Sequence, residues 1–411
     1  MHNLKIAILL NSFPKISEKF LLNHIIGLMK AGYDVRIFAS RRYKAERYHG
    51  IYYENQVDLR TTWLDIPYAT VPRLFKAPIL FLSLLVKNPF AAFEAVRFGK
   101  YQTVARNMKL LYFGNAFHGT NFDIVHCHFG PNGLIGTYLK ECGYAMRVIT
   151  SFHGSDINSY PKRYGSDVYK TLYAKSDLFT ANTEYTKGKM IENGCDSSRI
   201  YIVPECLIAE EYDGVDGNTR EKNSVLTVGR LEEKKGHVYA LRAIAKIRTE
   251  IPGIKYYIVG GGSLMETLQQ EALSLGISDA CCFVGSCTSE QVRDFYSRCE
   301  VFTLPSVTAS NGDKEGQGLV LQEAQICGLP VVSTRHNGIP DGILENETGF
   351  LVEERDVDAL ADRLKALLLD ESLRKSFGAR GKSFVSAKYD ISTITASLST
   401  CYLNALASGS R

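Results

Sequence analysis

The stretch Glu315-Gly316-Gln317-Gly318-Leu319-Val320-Leu321-Gln322-Glu323-Ala324 decides how this chain is read. One carboxylate precedes a Gly-Gln-Gly turn, and a second lies in the apolar segment that follows. The spacing predicts a helix that opens just after Gly318 and ends at Cys327, with Gly328 beyond the cap and Pro330 past it. A helix start presents unpaired N–H groups and the positive end of the macrodipole, so it draws anions, and glycines let a ligand approach the backbone. The runs at 301–305 and 331–334 read as short buried strands on either side. The turn then lies at the carboxyl end of a strand, where ligands bind in open α/β sheets. The plain alternative is that Glu315 and Glu323 are solvated acids on a surface helix.

Outward from this stretch, 411 residues suggest two domains. Hydrophobic residues make up 45% and charged residues 22%, the balance of a globular enzyme. A net charge of +4 does not argue for nucleic acid and leaves room for an acidic lipid surface. Ten cysteines without C-x-x-C spacing point to a reduced, cytoplasmic chain. Met1-His2-Asn3-Leu4-Lys5 leads straight into a strand, so no export signal is expected. The longest apolar run, 77–86, is broken by Pro78 and Ser83 and is too short to span a bilayer.

The chain begins with an apolar run at 5–10, a loop with Ser17 as capping candidate, a helix at 19–31 stopped by Gly32, and a strand at 33–39. This is a βαβ start of Rossmann type. No G-x-G-x-x-G follows the first strand, which speaks against a nicotinamide or flavin enzyme. Within 60–116, Lys87, Arg97, Lys100, Arg106 and Lys109 alternate with Phe90, Phe93, Val96, Phe98 and Tyr101 in a region of helical character. Two readings stand side by side: a basic amphipathic surface on anionic membrane, and plain helices with apolar stripes inward and cations in water. His126 and His128, two apart on a strand, share a face, but no third ligand has suitable spacing and no metal is expected. A strand at 147–152 ends in a loop with His153, Gly154 and Asp156. A polar linker leads to a second α/β unit from Ser224. There Gly229-Arg230 and Lys235-Gly236 stand between strand and helix, Gly260-Gly261-Gly262 ends one strand, and Val284 lies at the end of the next. Residues 391–407 form a final helix.

As a set, several segments resemble the retaining glycosyltransferases of family 4, also called group 1. They are the two acids of 315–323, His336-Asn337-Gly338-Ile339-Pro340-Asp341, Asn346-Glu347-Thr348-Gly349-Phe350, the Gly-Arg and Lys-Gly pairs, Asp123-Ile124-Val125-His126-Cys127-His128, and Phe152-His153-Gly154-Ser155-Asp156. Ser12-Phe13-Pro14 stands where many members carry glycines, and Gln317 where an aromatic is often found. Both look like the subgroup that builds colanic acid and other exopolysaccharides.

The resemblance implies a GT-B fold of class α/β, two Rossmann-like doubly wound domains facing a central cleft. Residues 1–206 would be the acceptor-side domain, 207–223 a linker, 224–388 the nucleotide-sugar domain, and 389–411 a helix crossing back. It implies transfer of a sugar from a UDP- or GDP-linked donor to a glycan acceptor, lipid-linked by preference, at the inner face of the membrane, with no cofactor. His153 and Glu315 would be catalytic by positioning and electrostatic support. Arg230, Lys235, Val284, Gly316, Gly318, Leu319 and Glu323 would hold the donor, and Ser17 and Asp156 would lie on the acceptor side. Competing readings are a nucleotide-sugar epimerase or phosphorylase of the same shape, and a non-catalytic sugar-nucleotide-binding subunit.

Overall fold

The computed structural model describes residues 4–44, 48–215 and 220–407. The chain divides into two units, one running up to Pro204 and resuming at Ile394, the other comprising Glu205–Thr393.

Unit 1 is built on seven parallel strands: β1 (Lys5–Phe13), β2 (Asp34–Arg42), β3 (Thr61–Trp63), β4 (Phe122–His128), β5 (Ala145–Phe152), β6 (Leu178–Ala181) and β7 (Ile200–Ile202). Their order is β3-β2-β1-β4-β5-β6-β7. In β1 the run Ile6 to Leu10 is almost wholly buried, because helices cover both faces of a parallel sheet. The first helix, Lys19–Lys30, is buried from Phe20 to Leu28. Ser17 does not cap it: a 3-10 turn, Ile16–Glu18, intervenes, Glu18 takes the cap position, and no side chain bonds there.

Unit 2 repeats the scheme with β8 (Ser224–Val228), β9 (Lys255–Val259), β10 (Cys281–Gly285), β11 (Val301–Leu304), β12 (Val331–Thr334) and β13 (Gly349–Val352), ordered β10-β9-β8-β11-β12-β13 and all parallel. Both sheets therefore follow the doubly wound order, whose direction reverses between β1 and β4 and again between β8 and β11. The crevices at these two points are the places to look for ligands.

The segment read as a polar linker is built into unit 2. Leu207 forms a parallel bridge to Asp390, and its N–H donates to the Tyr389 carbonyl at 3.1 Å. Arg220 donates to the carbonyls of Tyr296, Cys299 and Cys327. Glu221 accepts from Lys255, Tyr257 and Arg298. Charges that suggested solvent are spent tying the segment down. The final helix, Ile391–Ala407, belongs to unit 1 from Ile394 onward, where Tyr402 bonds His126 and the Ala405 carbonyl accepts from Arg147.

Candidate functional site

In unit 2 Arg230 and Lys235 lie in the loop that leaves β8, and Glu315 in the loop that leaves β11. Gly229 and Arg230 follow β8, and a 3-10 turn, Glu233–Lys235, leads to Gly236 and the helix His237–Ile247. Only glycine fits at 236: its φ is +71°, and a Cβ there would lie 1.8 Å from the Pro305 carbonyl oxygen. That contact seats the turn on the loop leaving β11. The stem of Lys235 lies over Gly229, 3.6 Å from where a Cβ would stand. His237, buried and held neutral by that burial, donates to the Arg230 carbonyl.

The Lys235 ammonium pairs with the Glu315 carboxylate, both side chains being about one-eighth exposed. Burial alone would raise Glu315, but the charges of Lys235 and Lys234 outweigh it and hold the carboxyl at about 2. The other cations of the turn are paired as well, Lys234 with Asp313 at 3.1 Å and the exposed Arg230 with Glu232.

Glu315 is fixed from behind by residues that spacing did not bring together. Its N–H donates to His336 Nε2 at 3.1 Å, which leaves the His336 proton on Nδ1 to donate to Glu354 at 2.6 Å. Asn337 donates to the Glu315 carbonyl at 2.8 Å. The motif around His336 was visible, yet nothing in sequence links Glu354 to it. Gln317 is buried and holds the Glu205 backbone at both ends, accepting from its N–H at 2.8 Å and donating to its carbonyl at 3.0 Å. An aromatic ring cannot make that pair.

The turn runs on through Gly316, whose N–H donates to the Glu315 carboxylate at 3.3 Å. Gly318 has φ +75°, and Leu319 stands at the cap of the helix Val320–Ile326. Within that helix Glu323 accepts from Tyr296 Oη at 2.9 Å. Burial first, then the Glu323 charge, keeps the Tyr296 phenol protonated. Val284 is half-buried on β10 against the apolar cluster that includes Val259, and Gly285 beyond it bridges to Gly260. Unit 2 thus sets Lys235 on Glu315 at the head of the turn 315–319, with Glu323 on the following helix and Val284 on β10.

In unit 1, His153 leaves β5 and joins a buried group of imidazoles. Its Nε2 is 3.0 Å from His128 Nδ1, and the two rings stack. Phe20 and Phe129 lie against His153, each with its ring centre 4.9 Å away. His126 uses both nitrogens, on Tyr402 Oη at 2.8 Å and Ser151 Oγ at 2.7 Å, so it has none left for a metal. Burial drives His126 down to about 3 and His24 to about 4, and pushes His128 and His153 well below their usual range. These rings are neutral hydrogen-bonding groups at any physiological pH.

The Asp156 carboxylate is taken up with backbone N–H groups. One carboxylate oxygen takes the N–H groups of His153 and Gly154 and the other that of Gly130, all at 3.0 Å. It ties together the loops that leave β4 and β5. Burial raises it to about 6 against the pull of these donors. Ser17 is exposed.

Residues 17–210 match the model of Glycosyltransferase Family 4, and residues 209–384 that of Glycosyl transferases group 1. The chain is 31% identical over 377 residues to the colanic acid biosynthesis glycosyltransferase WcaL of Escherichia coli, covering 88% of this chain and 90% of that one. It is 29% identical over 381 residues to the amylovoran biosynthesis glycosyltransferase AmsK of Erwinia amylovora, covering 90% and 92%. Among solved structures, Anabaena HepE in complex with UDP and glucose superposes with a TM-score of 0.70 at 15% identity over 98% of this chain and all of that one. The lipopolysaccharide outer core galactosyltransferase WaaB does so with 0.68 at 15%, over 97% and 99%. At such identities the structures speak for the fold alone.

Proposed function

We propose, for a chain that belongs to the family 4, group 1 glycosyltransferases, a retaining transfer from a UDP- or GDP-linked sugar to a lipid-linked oligosaccharide in exopolysaccharide biosynthesis. The observation that carries the reading is the Lys235–Glu315 pair at the reversal point of the unit 2 sheet, with Glu315 anchored through His336 and Asn337. The bond from the anomeric carbon to the donor phosphate oxygen breaks, and negative charge grows on the departing diphosphate. Lys235 and Arg230 stabilise that charge where it develops. Glu315, released from Lys235 by the diphosphate, is an ionised acceptor for donor-sugar hydroxyls, and Glu323 accepts from the ribose. The acceptor oxygen bonds to the anomeric carbon on the face the leaving group departs from, and its proton passes to the leaving phosphate oxygen. No protein base is needed, which suits the neutral, buried His153 as a positioning group.

A lipid-linked acceptor is supported by unit 1. Among the described residues no helix is long and apolar enough to cross a membrane. The helix Thr70–Lys87, however, leaves Phe75, Ile79 and Val86 more than 70% exposed, and Phe90 and Phe93 continue the apolar surface. Residues 66–121 carry seven Lys and Arg against the single Glu94, more excess charge than the whole chain. With Lys76, Lys87, Arg97 and Arg106 exposed in the same segment, this apolar face suits an anionic bilayer. The functional reading is tested by calorimetric titration with UDP, GDP, ADP and NAD, alongside Glu323→Ala. One nucleoside diphosphate is expected to bind, and the substitution to weaken it. Binding of none, or of NAD in preference, overturns the reading.

A further inference from the structure

Unit 1 holds a cavity of about 490 Å³ at the carboxyl ends of β1 and β4, and its charge is not balanced. Lys109 lines it, with its ammonium 3.3 Å from the Asn11 amide oxygen and no carboxylate partner among the described residues. Two more cations stand behind Lys109. Arg41 donates to the carbonyls of Ile66 and Pro67, and the buried Arg73 to those of Pro67, Tyr68 and Asn107. Both guanidiniums are met by carbonyl dipoles, and among the described residues neither by a carboxylate. Burial first, then the charges of Arg41 and Arg73, lowers Lys109 to about 8, so the three cations feel one another.

The acids at the cavity do not answer them. Glu18 is held by Lys15 at 2.8 Å, and the oxygens of Asp156 face the backbone N–H groups already described. Arg163 adds a further cation at the wall. Left-handed backbone at non-glycine residues gathers here as well: Phe129 (φ 71°) lines the cavity, and Met108 (φ 58°) and Gln102 (φ 47°) each adjoin a lining residue. Such conformations concentrate where binding or catalysis sustains them. A cluster of desolvated cations is costly until an anion enters it.

We infer that this cavity takes a phosphoryl group of the acceptor, with Lys109 as its direct ligand and Arg41 and Arg73 supplying the field behind it. The inference deepens, and rests on, the transferase reading above. Two features of the fold bear on it. Phe129 touches His153, so the cavity adjoins the residue expected beside the donor sugar. Arg73 is the buried side of the helix Thr70–Lys87, whose Phe75 and Ile79 face outward, so one helix serves both an apolar surface and the anion site.

The test is a calorimetric titration of the full chain with inorganic pyrophosphate, with the nucleotide site saturated by UDP or GDP, whichever binds. Pyrophosphate is expected to bind, and Lys109→Met to weaken it by about ten- to a hundredfold, the loss of one charge-assisted hydrogen bond. Lys109→Arg is expected to restore most of the affinity. Equal binding by Lys109→Met, no binding of pyrophosphate, or binding of glucuronate in its place overturns the inference. Should Lys109→Met not fold, the wild-type chain decides: acylation of Lys109, followed by mass spectrometry, is expected to slow when pyrophosphate is added, and an unchanged rate overturns the site. Geranyl diphosphate binding more tightly than pyrophosphate assigns the phosphoryl group to a lipid carrier, whereas equal binding assigns it to a free phosphate ester. Either keeps the site. A chain that binds neither UDP nor GDP fails as a transferase and takes this inference with it, while one that binds a nucleotide but ignores Lys109 fails here alone.

Discussion

Replacing Lys235 by Met keeps the stem over Gly229 and removes the charge that holds Glu315 ionised. The lowering of Glu315 from its ordinary value of 4.5 to about 2 corresponds to roughly 3 kcal/mol. Removing one partner of a buried pair costs about 3–5 kcal/mol, and here Lys234 remains nearby. A loss of about 2–3 kcal/mol at pH 7 is therefore expected, or about 5–10 °C in the melting of unit 2. The pH dependence fixes the cause. In the wild type the folded value lies below the unfolded one, so the stabilisation is present above pH 4.5 and is lost as pH falls towards 2. In the variant burial dominates and the folded value rises above the unfolded one, so the destabilisation is full at neutral pH and is relieved as Glu315 takes up a proton. The gap between the two proteins must narrow on acidification, and Lys235→Met with Glu315→Gln must recover most of the stability without the activity. Calorimetry is the assay, because the single tryptophan, Trp63, lies in unit 1 and reports on the other half of the chain. A gap that does not change with pH, or a double variant no more stable than Lys235→Met, would refute the reasoning.

Three further outcomes are expected. His336→Ala strips the acceptor from the Glu315 N–H and the donor from Glu354, so steady-state kinetics should show kcat down by about tenfold or more with a donor KM that barely moves; an unchanged kcat contradicts the anchoring role. Gly236→Ala drives a Cβ into the Pro305 carbonyl at positive φ and should lower stability by at least about 3 kcal/mol in thermal unfolding; a variant within about 1 kcal/mol of wild type rules out the close approach. Phe75→Glu combined with Ile79→Glu should cut sedimentation with anionic vesicles by about tenfold or more while leaving nucleotide affinity intact. Equal sedimentation removes the membrane face from the account.

The course of the chain around the decisive stretch was legible because each signal there is local. The helix Val320–Ile326 opens just beyond Gly318, and Cys327 and Gly328 close it, the latter at φ +72°. The parallel strands announce themselves as short apolar runs, since both of their faces are covered. What stayed hidden depends on contacts between distant residues. Glu354 meets His336 only after β13 and its neighbours have packed, and Gln317 meets Glu205 across 112 positions. Ser17 had the right side chain for a cap, but the 3-10 turn shifted the helix start past it. The partners of Asp156 stayed hidden because they are backbone N–H groups, which carry no mark in a sequence. The polar stretch before Ser224 read as solvated for the same reason: the carbonyls that receive Arg220 are invisible until the fold is built.

The most direct test supplies a UDP- or GDP-sugar and a lipid-linked oligosaccharide to the purified protein and follows nucleotide release together with the anomeric configuration of the product by NMR. The account predicts release of one nucleoside diphosphate for each acceptor glycosylated, with the donor's anomeric configuration kept. Inversion at the anomeric carbon, or conversion of the donor without consumption of acceptor, would contradict it.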